Sequence, residues 1–447
     1  GGLTFNLSST DSDEALFYEN EGTITTIEIA EGESSGGFYY SNESAGEKTL
    51  TVADDNEISG LGSNTADIIV KPSVLHEFTV TGIDDPTTAG AENSVTVTAL
   101  DPFGNIKTDY TGTIAFTSND NEAVLPSEYT FLIENNGSRV FTDAVILKTA
   151  GEQWLQAADD DKTGRQEDIT VEPAEVNAAN TNTKLEVITN DAEANGTAEA
   201  EVRATLLDEF NNPVRGVSVT FSTTGDGQIE EATGTTNGSG QFTAAITNTT
   251  AQTVDVTALF GDGNISVENG SPAVVTFMNG AAAKLAFVQQ PSNTDAGDEI
   301  SPSVTVQLLD ASDNPVDTDD INITLTISDG ATLDGTLTKS TVNGTATFDD
   351  LYVIEPGEEY TLTATSGLLE PDESDSFTVN RRSITITADE KDKVYGDDDP
   401  AFTYQVTSGS LIQGVDLNGE LNRDSGEDAG TYAITQSNLT DANNASY

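Results

Sequence analysis

Leu207-Asp-Glu-Phe-Asn-Asn212-Pro213 runs shortly into Val217-Ser-Val-Thr-Phe221. The second stretch alternates apolar and polar residues with period two, which marks a half-buried β-strand. The first is a turn, because Asp and Asn side chains bond their own backbone and interrupt regular structure. The same pair recurs twice. Leu100-Asp-Pro-Phe-Gly-Asn105 precedes Thr113-Ile-Ala-Phe116, and Leu309-Asp-Ala-Ser-Asp-Asn314-Pro315 precedes Ile323-Thr-Leu-Thr-Ile327. The Asp-to-Asn offset is four each time, and Asp101, Asp208 and Asp310 lie 107 and 102 residues apart. Two further landmarks keep step. A glycine shortly precedes Phe38, Phe141, Phe242 and Phe348. Ala45-Gly-Glu-Lys-Thr-Leu50 is matched by Ala150-Gly-Glu-Gln-Trp-Leu155 and, more loosely, by Pro356-Gly-Glu-Glu-Tyr-Thr-Leu362. Self-similarity at a fixed period is the signature of a repeat architecture.

Composition sets outer bounds. A chain of 447 residues allows about three to five domains. It holds 77 acidic against 17 basic residues, one histidine (His76) and no cysteine. Disulfides, thiolate metal sites and cysteine nucleophiles are therefore excluded, and most zinc sites and Ser-His-Asp triads with them. A net charge of −60 repels DNA, RNA and anionic lipid, which need clustered Lys and Arg. No apolar stretch approaches the twenty residues of a membrane-spanning helix. A hydrophobic fraction of 35% with this charge leans toward disorder. Strand alternation at Val95-Thr-Val-Thr, Val304-Thr-Val-Gln-Leu308 and Ile384-Thr-Ile-Thr overrides that leaning. The expected fold is all-β. A period near 100 residues with about seven short strands per unit reads as tandem immunoglobulin-like β-sandwiches arranged end to end.

Each unit closes on a strand before a short linker that is not Gly/Ser-rich: Ile68-Ile-Val-Lys-Pro72, Ile169-Thr-Val-Glu-Pro173, Val274-Val-Thr-Phe277 and Phe377-Thr-Val-Asn380. The division is 1–72, 73–173, 174–280, 281–380 and 381–447. Over residues 1–380 the chain resembles the bacterial Ig-like domains of invasin-type and filamin-like surface proteins. Residues 1–72 carry the later landmarks without the Asp-x-x-x-Asn turn, so a partial module lacking its leading strands is expected there. Residues 381–447 differ. Tyr395-Gly-Asp-Asp-Asp-Pro400, Ser408-Gly-Ser-Leu411, Gly414-Val-Asp-Leu-Asn-Gly419, Arg423 and Gly430-Thr-Tyr-Ala-Ile434 together resemble the MBG repeat. That resemblance implies a very large secreted adhesin of the Bacteroidota type, in which related proteins leave by type IX secretion. It also implies closing strands beyond Tyr447, hence a partial module. The opening Gly1-Gly2-Leu3, without methionine, fits a window cut from a longer array.

The acidic loops are the one candidate site. In a sandwich the B–C and F–G loops share the pole that faces the preceding domain. The second module places Asp101 and Asn105 there with Asp159, Asp160 and Asp161. The third places Asp208 and Asn212 with Asp262 and Asn264. The fourth places Asp310 and Asn314 with Asp372, Glu373 and Asp375. Converging carboxylates suit calcium, a hard cation that takes oxygen ligands. The alternative is plain turn formation, favoured for Asp101, Asp208 and Asp310. Trp154 is expected in the core, with an exposed sugar platform as the alternative. His76, just past the first linker, is expected at a surface or interface. Nothing marks an enzyme, since any two acids among 77 can meet in space. The expected function is a structural stalk segment of an extracellular, cell-surface adhesin or filament. Its partners would be neighbouring repeats of the same longer chain and surface glycans or cell-surface proteins. Two readings from other classes stand beside it: a spacer of a secreted multidomain enzyme, and a self-assembling sheath or filament subunit.

Overall fold

The alternating stretches form β-strands, among them Glu92–Leu100, Ser218–Thr223, Val304–Leu309 and Thr385–Ala388, and the strands pair antiparallel almost throughout. The computed structural model describes residues 3–10, 14–54, 61–261, 263 and 265–447. Among these, the helical pieces are the short 3-10 turns Ile133–Asn135 and Asp441–Asn443. The chain divides into two compact units. One comprises residues 1–184, 205–218 and 235–241; the other comprises 185–204, 219–234 and 242–447.

In the first unit, the second module is the pattern for the rest. One sheet orders Ser138–Ile146, Glu92–Leu100 and Glu77–Thr81. The other orders Tyr129–Thr130, Thr113–Ser118, Gly151–Asp159, Lys162–Glu172 and, in parallel, Thr87–Thr88. Val95, Val97 and Ala99 point inward from one sheet, while Ile114, Leu155, Ala157 and Ile169 point inward from the other. Complete burial of each larger side chain contributes about 1.5–3 kcal/mol. Trp154 is one residue out of phase with Leu155 and so faces outward. It is half-buried beneath the Arg165 guanidinium, 4.2 Å from the ring centre. This corrects the expectation that Trp154 is core: Gln153 and Leu155 hold the inward positions of this strand, and Trp154 lies between them.

The first module keeps the sheet Thr26–Ile29, Leu3–Ser9, Gly46–Asp54 and Ser63–Val70, matched by Leu16–Glu19 between Gly22–Ile24 and Tyr39–Ser41. Its buried core cluster is Leu7, Phe17 and Ile27. Counterparts of Glu77–Thr81 and Glu92–Leu100 are not among its described strands.

In the second unit, the third module's sheets run through Thr253–Phe260 and Gln241–Thr247, with Val254, Val256, Ala258 and Ile246 buried. The fourth module repeats the scheme with Val304, Val306 and Leu308 facing Leu325, Leu362 and Ala364. Residues 381–447 form two small ladders, Thr385–Ala388 with Tyr404–Ser408 and Asn422–Arg423 with Ile434–Thr435. Arg423 gathers landmarks scattered in sequence. Its Nε donates to Asp399 at 2.8 Å, its Nη2 donates to Glu427 at 2.9 Å, and its guanidinium lies 5.1 Å from the Tyr432 ring centre. Ile412, from the same region, is buried in the core cluster of the fourth module.

Candidate functional site: the inter-module junctions

The Asp-x-x-x-Asn turn sits where strand Glu92–Leu100 and its counterparts end. A buried carboxylate needs its lone pairs filled, and here the turn's own donors fill them. Asp208 Oδ1 accepts the backbone N–H of Phe210 and of Asn212, both at 2.8 Å. Its Oδ2 accepts Asn212 Nδ2 at 2.8 Å and the N–H of Ala174 at 3.0 Å. Ala174 is the first residue after the linker. Asp101 binds Phe103, Asn105 and Ser73 in the same way. Asp310 does so with Ser312, Asn314 and Gly280. Each aspartate therefore pins the incoming linker to the turn that follows it. The exposures of Asp101, Asp208 and Asp310 are 2%, 0% and 2%, so no face of the carboxylates is left open.

The asparagine finishes the junction. Asn212 Oδ1 accepts the N–H of Ala150 at 2.8 Å, and its Nδ2 donates to the Lys148 carbonyl at 2.7 Å; both partners belong to the preceding module. Asn105 makes the same pair with Ala45 N–H at 2.9 Å and the Glu43 carbonyl at 2.6 Å. Asn314 takes Ala251 N–H at 2.7 Å and gives to the carbonyls of Thr249 at 3.2 Å and Ala194 at 3.1 Å. An amide with one donor and one acceptor edge thus reads the exposed backbone of a turn. Two such bonds are worth about 1–3 kcal/mol per junction. In the second and third modules the first landmark docks at the third landmark of the module before it; in the fourth it docks on Ala251 and Thr249, which lie outside that motif.

Among the described residues, no group of three His, Cys, Asp or Glu side chains converges as a cation site. Asp101, Asp208 and Asp310 are turn formers whose oxygens face N–H donors, so the calcium reading does not fit them. Asp160 and Asp161 are the tip of a tight hairpin closed by the pair Asp159 and Lys162, with Asp160 at φ 46°. Such a tip favours Asp for its tolerance of positive φ. Asp159 accepts the Tyr110 hydroxyl at 2.6 Å, and Asp161 pairs with Lys162 at 3.0 Å. Burial and the neighbouring Asp159 carboxylate push the Tyr110 hydroxyl well above its ordinary range. Asp372 lies in strand Asp372–Glu373 rather than in a loop, and its carboxylate accepts the Phe287 N–H at 2.8 Å. Asp375 follows that strand, its backbone N–H bound to Gln290 Oε1 at 2.9 Å. Asp262 and Asn264 lie outside the described residues. His76 is exposed, its N–H bound to the Leu100 carbonyl at 2.8 Å.

Burial would raise the Asp101 carboxyl. The bonds from Asn105, Ser73 and Phe103 outweigh it and hold the group below the ordinary carboxylate range. Burial is likewise outweighed at Asp310, by Gly280, Asn314 and Ser312. An unfolded aspartate titrates near about 3.9. A folded value below that gives stability that is full above about pH 4 and lost as pH falls through the depressed value. Amide hydrogen exchange at Ser73 and Gly280 is therefore expected to stay protected at neutral pH and to accelerate in the acid range. An Asp101→Asn chain should lose that acid dependence at Ser73 alone.

Sequence reasoning found the asparagines but not their sockets, because Ala45, Ala150 and Ala251 are read through backbone that carries no side-chain signal. The sequence model of the bacterial Ig-like domain (group 1) matches residues 182–278, that of the MBG domain (YGX type) residues 384–446, and that of SMCHD1 Ig-like domain 6 residues 270–389. Among solved structures, the Escherichia coli adhesin FdeC is 16% identical, covering 69% of this chain and 99% of its own, with a TM-score of 0.41. InvD of Yersinia pseudotuberculosis is 16% identical, covering 68% and 97%, with a TM-score of 0.37. Invasin, a bacterial integrin-binding protein, is 19% identical, covering 74% and 68%, with a TM-score of 0.34.

Proposed function

We propose that this chain, which carries bacterial Ig-like and MBG domains in tandem, serves as the structural repeat segment of an extracellular bacterial adhesin. The observation that carries the reading is the same Asp–Asn latch at three successive junctions. A chain whose work is to hold one module at a fixed seat on the next has reason to repeat one docking device. A binding surface would instead vary its loops. The matched domain families favour adhesion over catalysis, and the reading assigns the chain no reaction. Its immediate partners are neighbouring modules of the same chain, and its outer partners are surface glycans or other cell-surface proteins. Export by a type IX route to a Bacteroidota-type surface, with attachment or gliding as the outcome, is the finer form of the proposal and rests on the MBG likeness.

The reading leaves calcium no part in holding the junctions, since the turn's own donors fill the aspartates' lone pairs. Calorimetric titration with millimolar calcium is expected to give no heat assignable to them, and EDTA should leave amide protection at Ser73, Ala174 and Gly280 unchanged. For the surface role, antibodies against the fourth module should label intact source cells, and deleting residues 281–380 should weaken attachment. Epitopes reachable only after lysis would overturn the reading.

A further inference from the structure

The fourth module presents the same kind of outgoing face as the others but lacks the N–H that the latch needs. Strand pairing sets the equivalence. Gly151 pairs with Val171 and Gly357 with Val379, while Val171 and Val379 occupy matching places beside Thr87 and Thr294. Pro356 therefore stands where Ala150 and Ala251 donate to a following asparagine, and proline has no N–H to give. The module that follows carries no Asp-x-x-x-Asn turn. Its Arg382 occupies the position of Ser73, Ala174 and Gly280, three residues past the closing strand's matching valine or phenylalanine. Arg382 Nε donates to the Ala296 carbonyl at 3.0 Å, and its Nη2 binds Asp298. The matching carbonyl in the third module, Ala194, accepts from Asn314. One acceptor thus serves two kinds of donor.

A second position on the face varies independently of the first. Gly90 lies under the Phe210 ring of the next turn, so close that a Cβ there would sit 2.6 Å from Cε2. Gly297, whose N–H bonds to the equivalent carbonyl, lies under Ile412 in the same manner at 2.7 Å. At the third module's face, Gly196 makes that bond to Asn248. There the seat is taken by the module's own Thr249 methyl, 3.0 Å from a Cβ built on Gly196. The next turn accordingly carries Ser312 where the preceding junction has Phe210.

We infer that the outgoing faces of the second, third and fourth modules each select the class of module that can follow, through an N–H that is offered or withheld and a glycine seat that is open or filled. Alanine with an open seat takes an asparagine turn bearing a ring, and alanine with a filled seat takes one bearing a small residue. Pro356 with the open seat at Gly297 ends the asparagine-latched series and admits an arm carrying an arginine and an aliphatic side chain. The inference concerns docking alone and holds wherever the chain works.

Cysteine pairs introduced into this cysteine-free chain allow spin-label distance measurements across residues 1–447. Thr257→Cys with Thr326→Cys spans the third junction, and Thr326→Cys with Gln405→Cys spans the last. Ala251→Pro transplants the refusing residue, so the first distribution should broaden as it does with Asn314→Ala. Adding Asn314→Ala to Ala251→Pro should then change nothing more. Pro356→Ala should leave the second distribution as it is. Arg382→Ala should broaden it, and so should Asp298→Ala, which leaves the terminal module untouched. Gly297→Asn should broaden it too, with Ile412→Ala restoring part of the loss. The selection rule is overturned if Ala251→Pro keeps the native distribution, if Asn314→Ala acts in full on the proline background, or if Asp298→Ala leaves the last junction unchanged.

Discussion

Asp208→Ala is expected to lower the melting temperature of the third module by about 12 °C or more, read as a shifted transition in calorimetry. The carboxylate is fully buried and holds four donors: Phe210 N–H, Asn212 N–H, Asn212 Nδ2 and Ala174 N–H. Alanine leaves the three backbone N–H groups without an acceptor and Asn212 Nδ2 with its bond to Lys148 alone. Bonds to a charged acceptor are worth about 1.5–3 kcal/mol each, and an orphaned buried donor carries its own penalty. Relaxation and water entry recover part of this, leaving a net loss of about 3–5 kcal/mol. Each kcal/mol moves the transition of a 100-residue domain by about 4–8 °C. Asn212→Ala should cost about 1–3 kcal/mol, because it removes the latch and one bond to the aspartate while the linker stays pinned. The ordering of the two variants is the decisive point. A larger effect for Asn212→Ala would mean that docking, not the turn, holds the module together.

The turn was legible in sequence because Asp and Asn at a fixed offset have few other reasons to recur. The use of that turn was not legible. A carboxylate cluster reads as a cation site when its donors are invisible, and here the donors are backbone N–H groups such as those of Ser73 and Gly280. The Asp159–Asp161 run reads as converging carboxylates in sequence, yet Asp160 takes the positive φ of a two-residue hairpin tip, Lys162 pairs with Asp161 and the Tyr110 hydroxyl donates to Asp159. Asp372 was placed in a loop because strand Asp372–Glu373 is too short to show alternation. Trp154 lies one residue out of phase with the buried Leu155, so the strand's alternation and not the residue type fixes its side. The third module's socket, Thr249-Thr250-Ala251, was missed for another reason: it keeps none of the Ala-Gly-Glu motif and needs only an N–H and a carbonyl. A proline at the corresponding place is the single sequence signal that such a socket can carry, and Pro356 is that signal.

The glycine that precedes each landmark phenylalanine shows how much stability one repeated position can hold. Gly137, Gly240 and Gly344 have φ of 75°, 70° and 70°. Their carbonyls accept the N–H of Ala99, Leu206 and Leu308, the last inward residues before the Asp-x-x-x-Asn turns. Gly137 and Gly344 also face the chain just past that turn, where a Cβ would overlap the carbonyl of Lys107 or of Val316, while a Cβ on Gly240 would overlap the Leu206 carbonyl just before it and crowd Val214 N just after it. Two costs therefore add in Gly344→Ala. The left-handed conformation costs an alanine roughly 1–2 kcal/mol. The overlap is with backbone rather than with the end of a flexible side chain, so strand Val304–Leu309 or the Val316 segment must move, at about 1–3 kcal/mol. The expected loss is about 2–5 kcal/mol in the fourth module, seen as a lower calorimetric transition and faster amide exchange at Leu308 and Val316. The opposite half of the sandwich supplies the control. Gly367 also has positive φ, 52°, but a Cβ there meets nothing within 4 Å. Gly367→Ala therefore carries the conformational cost alone and should lose no more than about 2 kcal/mol. If the two variants melt together, the close approach at Gly344 contributes nothing and the landmark is a conformational requirement only. If Gly344→Ala melts lower by the overlap cost, each module has its B–C turn clamped from both sides, by an aspartate within the turn and by a glycine against it.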